Sequence, residues 1–180
     1  MARSLSPAVT EAAPRRLSRH ERRRLAEVDR RTAQLAELDR IAGLLSTAQA
    51  IVCHGWLQCG WYRYTGPDGA LRTVTTRPAG RGEQEELVGA CLVGAILQAG
   101  GGPGEARSQL VQRTLDVVWH VAFADPGQPV RWCPPPAERA IRLRELIGWN
   151  DRPGRTRAEV VELIETARGA AGAEQVRLRG

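Results

Sequence analysis

The chain has 180 residues, 42% of them apolar, which is enough to bury one core, and it carries 26 basic against 20 acidic residues for a formal charge of +6. Every basic residue is Arg, and without a single Lys both Schiff-base chemistry and the phosphate-binding P-loop are excluded. The basicity is local: residues 1–31 hold nine Arg against four acids, whereas the rest of the chain holds seventeen against sixteen.

Residues 1–16 mix Pro, Ala, Ser and Arg without periodicity and read as a disordered basic arm, followed by a single domain over 17–172 and a frayed tail over 173–180. The start has no apolar run of the signal-peptide kind, so a cytoplasmic location is expected, and Cys53, Cys59, Cys91 and Cys133 are then expected as thiols. The richness in Ala, Gly and Arg points to a high-GC bacterial genome. Ser18 and Glu21 have the spacing of a capping box, with Leu17 just ahead of it. Leu25, Val28, Leu35, Leu38, Ile41, Leu44 and Leu45 then recur every three or four residues or at multiples of that spacing, which predicts one long amphipathic helix to about residue 51.

Beyond His54 the pattern changes. Aromatic and β-branched residues over 57–65 and 70–76, separated by Gly66-Pro67-Asp68-Gly69, predict a β-hairpin whose turn uses the fixed φ of Pro67 and the positive φ of Gly69. A polar connection follows over 77–83. Residues 87–99 are the one sustained apolar run, too short to cross a bilayer. They read as a buried central helix with Glu83, Glu85 and Glu86 at its start and Gly100 to Pro103 at its end. A third helix is expected over 105–123, a proline-rich loop over 124–135 with a strand-like stretch at 130–133, and a fourth helix from Pro136 to a cap at Gly148. Thr156 and Glu159 form a second capping box, which opens a last helix ended by Gly169 and Gly172. The fold expected is α+β and mainly helical: four or five helices around residues 87–99, with one hairpin at about 57–76.

Several constellations bear on chemistry. The cysteines with His54 and His120 have metal-ligand chemistry, but Cys53 and Cys59 are too far apart for a zinc knuckle, so no metal and no other cofactor is expected. A thiol nucleophile would pair Cys91 with His54 or His120 and an orienting Asn150 or Asp151. Against it stands Cys91 in the middle of an apolar helix, where burial raises the thiol pKa. Trp56, Trp61, Tyr62 and Tyr64 crowd the hairpin around Arg63, a pattern that fits a base-stacking platform but is read mainly as core packing, with Trp61 and Arg63 on the side left to solvent. Residues 149–156, Trp-Asn-Asp-Arg-Pro-Gly-Arg-Thr, make a turn-rich joint between helices. If a small anion binds anywhere, Asn150, Asp151, Arg152, Arg155 and Thr156 at a helix N-terminus are the candidates, with Trp56 and Gln58 beside them.

Three motifs in order, GWxQ (Gly55, Trp56, Gln58), CLxGA (Cys91, Leu92, Gly94, Ala95) and WND-x-PGRT-x-x-EV (149–160), resemble an uncharacterised family of small bacterial proteins found in high-GC genomes and mobile elements. The resemblance covers about 33–170, leaves out the Arg-rich start and implies no activity. The reading favoured is a non-enzymatic binding or accessory module whose arm, with Arg15, Arg16, Arg19, Arg22, Arg23, Arg24, Arg30 and Arg31, contacts DNA, RNA or an acidic protein and no membrane. The alternative is a small hydrolase or transferase using Cys91, His54, His120 and Asp151.

Overall fold

The computed structural model describes residues 18–75, 85–125 and 127–180; the expectations for residues 1–17 and 77–83, Arg15, Arg16, Leu17 and Glu83 included, lie outside them. The fold is mainly helical α+β: 67% of the described residues are helical, and among them are five α-helices and one three-stranded antiparallel sheet. In order these are α1 (Arg19–His54), β1 (Tyr62–Thr65), β2 (Leu71–Val74), β3 (Glu86–Ala90), α2 (Leu92–Ala99), α3 (Gln109–Phe123), α4 (Pro136–Asn150) and α5 (Arg157–Arg179).

The capping box at Ser18 and Glu21 is present and opens α1, which runs unbroken for 36 residues. Its two halves differ. Residues 19–34 are exposed on every side, Leu25 and Val28 included, whereas Leu38, Ile41, Leu44, Leu45, Ala48 and Val52 are buried. The reason is length. α5 packs antiparallel along α1, with Arg157 donating to the Cys53 carbonyl, Gln49 bonded to Glu165 and Gln175 to Asp39. α5 has 23 residues, so it runs out near residue 35 of α1. The first sixteen residues of α1 therefore project past the body by about 24 Å at 1.5 Å per residue.

The expected central helix over 87–99 is half strand. Residues 86–90 pair with β1 in the register Tyr62↔Ala90 and Arg63↔Gly89, and the helix begins only after Cys91, whose φ of −73° and ψ of 170° are extended. A short unbroken apolar run satisfies a buried strand as well as a buried helix, and here its partner strand decides. Glu85 accordingly does not cap a helix but takes a two-pronged bond from Arg72, at 2.9 and 2.6 Å. What remains of the central helix, α2, is buried from Leu92 to Leu97 and packs on α1, α3 and α4. The hairpin turn is as expected, with Gly69 at φ 77°, but its sheet has gained β3, giving the order β2-β1-β3.

Other boundaries also move. Residues 103–107 form a separate 3-10 turn, and α3 starts afresh at Ser108, whose hydroxyl accepts from the Val111 amide. Residues 130–133 form no strand; Val130 is buried and Cys133 sits at φ 52°. α4 passes through Gly148 and ends at Asn150, and α5 continues through Gly169 and Gly172 to Arg179. No helix among the described residues is long and apolar enough to cross a membrane.

Candidate functional site

The three sequence motifs meet at one side chain, Asn150, which is fully buried at the end of α4. Its Oδ1 accepts from the Trp56 indole at 2.9 Å and from the Leu92 amide at 3.0 Å. Its Nδ2 donates to the Leu57 carbonyl at 3.2 Å and to Asp151 Oδ1 at 2.7 Å. Two donors on one side and two acceptors on the other fix the amide's orientation, and only an amide has both capacities in so small a side chain. Asp151 also accepts from the Cys59 amide at 2.9 Å, which holds Cys59 at its unusual φ of 57°. Gln58 donates to the carbonyls of Asn150 and Arg152 at 3.1 and 2.9 Å.

The motif glycines let the backbones come this close. A Cβ on Gly55 would lie 2.0 Å from the Val88 carbonyl oxygen, and one on Gly94 would lie 2.3 Å from that of Trp61. The hub ties the loop after α1, the start of α2 and the end of α4 into one unit, and each polar atom of Asn150 in it is engaged. The neighbouring helix N-terminus is occupied as well. Thr156 caps α5, and Glu159 bonds back to the Thr156 amide, which holds its carboxyl below the usual range. Arg155 lies 3.8 Å over the Trp149 ring, donates to the Trp149 carbonyl and pairs with Glu159. The anion-binding place expected at this joint is therefore filled by the chain's own carboxylate, with Arg152 left exposed beside it.

The thiol and imidazole candidates are not brought together. Cys91 is the N-cap of α2, and its sulfur accepts from the Gly94 amide at 3.3 Å. Burial pushes the thiol up to about 11. His54 is exposed at the end of α1, and His120 is half-buried in α3. Cys53, Cys59 and Cys133 are exposed free thiols, and among the described residues no three His, Cys, Asp or Glu are grouped to hold a metal ion. On the sheet, Tyr62 and Tyr64 are buried and Arg63 is exposed, while Trp61 is half-buried rather than open to solvent.

The described arginines of the first helix stand open to solvent. Arg19, Arg22, Arg23, Arg24, Arg30 and Arg31 are all exposed on the projecting half of α1. At 100° per residue Arg19, Arg22, Arg23 and Arg30 fall within about a quarter of the helix circumference, so they form a basic stripe along one face. Glu27 pairs with Arg30.

One charged cluster has no counterpart among the expected sites. Asp116, on α3, is buried and accepts from the Cys133 amide at 2.8 Å; Arg142 approaches it at 3.4 Å and Arg139 at 4.0 Å. Burial raises the Asp116 carboxyl above its ordinary value, against the pull of the Cys133 amide and the guanidiniums. Arg142, itself buried, lies 4.1 Å over the Trp119 ring and donates to Glu138 at 2.7 Å and to the Arg131 carbonyl at 3.1 Å. The signal was in the sequence: an Asp between Leu115 and Val117 on an apolar stripe needs a buried partner.

A family described as "Family of unknown function (DUF6197)" matches residues 35–170. No curated protein and no solved structure matches the chain. The matched stretch contains the Asn150 hub and all three motifs, and it starts where α1 first touches the body.

Proposed function

We propose, for a chain that belongs to the family of unknown function DUF6197 and takes no activity from that membership, that it is a non-enzymatic binding module of the bacterial cytoplasm whose projecting helix contacts a polyanion, DNA or RNA. The observation that carries this reading is the overhang itself. Residues 19–34 are helical, exposed all round and outside the family match, so packing does not account for their sequence. They hold six Arg against three acids. A free helix of this diameter fits the major groove of DNA, and a stripe of arginines can engage phosphates along its edge.

The test is a salt titration of full-length protein against labelled duplex DNA and single-stranded RNA, compared with a variant in which Arg19, Arg22, Arg23 and Arg30 are changed to Gln. Affinity should fall by orders of magnitude between about 50 and 200 mM salt, and the variant should show a slope smaller by roughly 0.9 for each phosphate contact removed from duplex DNA. No affinity at low salt, or identical slopes for the two proteins, sinks the reading. A second reading, an acidic protein partner, is favoured by one observation: Leu25 and Val28 are 49% and 59% exposed one turn apart on the same helix, an apolar pair that a protein surface would cover. Changing both to Gln would weaken that partner and leave phosphate binding intact.

A further inference from the structure

A cavity of about 260 Å³ opens between α2, α3 and α4, and Asp116, Arg139 and Arg142 line one side of it. Trp61, Leu97, Leu115, Leu143 and Leu146 supply most of its apolar wall, and Arg107 and Gln112 add two further polar side chains. We propose that this cavity is a binding site for a small organic carboxylate with an apolar body, whose charge is held by Arg139 in the positive field of Arg107 and Arg142. The site is independent of the projecting helix.

Three observations carry the assignment. Arg142 is only 4% exposed and is held through both terminal nitrogens by Asp116, the Arg131 carbonyl and Glu138 and by its ring contact, so it stands at the wall as a fixed positive charge. A guanidinium that lines a cavity with donors still unspent is where an acceptor gains most. Arg139 is freer. Its nearest carboxylate oxygen, on Asp116, is 4.0 Å away, beyond hydrogen-bond reach, so its terminal nitrogens keep their donors for a ligand.

The charges in the cluster do not cancel. Arg107, Arg139 and Arg142 share the cavity wall with Asp116 alone, while Arg131 and Glu138 pair beside it, so positive charge is in excess there and an anion would offset it. Carboxylate geometry matches the fork of a guanidinium. Apolar side chains still make up most of the wall and favour an organic carboxylate over a bare oxyanion, since Leu and Trp offer an apolar body a dry contact surface. At this volume the ligand is small, at the lower end of the sizes ordinary pockets accept.

The experiment follows Trp fluorescence and amide chemical shifts of the full-length protein during titration with benzoate and hexanoate, with acetate, inorganic phosphate and neutral benzamide as controls. Benzoate or hexanoate should saturate at a single site and bind at least tenfold more tightly than acetate, phosphate or benzamide. Arg139→Gln, at a partly exposed position, should lose at least tenfold in carboxylate affinity with unchanged melting temperature. Ala140→Trp, which lines the same cavity from an exposed position, should block binding while leaving the nucleic-acid titration as it was. The proposal is overturned by the absence of a saturable shift with either carboxylate up to about 10 mM, beyond the millimolar edge of useful affinity. Binding of benzamide as tight as that of benzoate, or wild-type affinity in Arg139→Gln, overturns it too.

Discussion

An amide at position 150 answers two donors and two acceptors at once, and nothing smaller or simpler does. Removing it leaves the Trp56 indole, the Leu92 amide and the Leu57 carbonyl without the partner they have in the interior. Each such loss costs about 1–3 kcal/mol. Asn150→Ala should therefore lower unfolding stability by at least about 3 kcal/mol in a urea titration, and Asn150→Asp should fare no better, since a carboxylate cannot donate to Leu57. Stability within 1 kcal/mol of wild type, a small surface-type effect, would show that the hub is dispensable. Cys91 makes a different point at the same scale. With its thiol pushed up to about 11, roughly one molecule in a thousand carries the thiolate at pH 8. Iodoacetamide should modify Cys53, Cys59 and Cys133 first and reach Cys91 only on unfolding, as read by mass spectrometry of digests. Rapid labelling of native Cys91 would revive it as a nucleophile.

At the scale of elements, α1 is two helices in one. Its second half is stabilised by burial against α2 and α5, whereas its first half rests on the Ser18 capping box and on Glu27 pairing with Arg30. Helices short of partners are marginal in water. Leu38→Ala should thus cost about 2–5 kcal/mol, while changing Leu25 and Val28 to Gln should leave the melting temperature of the body where it was. Amide exchange should show the same step, fast through residues 19–34 and slow from Leu38. The helix starts at Ser18 and Thr156 were legible because a capping box is a local device, complete within four residues. β3 was not, since strand pairing depends on β1, more than twenty residues away, and Gly89 and Ala90 carry no strand signal of their own. Gly148 misled for a related reason: α4 must continue to deliver Asn150 to partners far back in the chain, and that tertiary gain outweighs the local cost of a helical glycine.

For the molecule as a whole, the body and the overhang are separable. The family match begins at residue 35, where α1 gains its first half-buried residue, Leu35. Scattering from protein lacking residues 1–17 and from protein lacking residues 1–34 should differ in maximum dimension by about 24 Å, with equal melting temperatures. The same division explains what a sequence can reveal about the sites. The arginine stripe was readable because it lies within one helix. The Asn150 hub joins residues 58 to 94 positions apart, and the Asp116 cluster joins α3 to α4, so in both cases the residues were visible while their meeting was not. Because α1 is unbroken, its overhang behaves like a threaded rod fixed at one end. A residue inserted between Gln34 and Leu35 would advance the tip by about 1.5 Å and swing the guanidinium row by about 100°, without disturbing any packed side chain. Reach and aim are thus geared together, and relatives of this protein could retarget the rod by insertions or deletions alone, keeping the body they share.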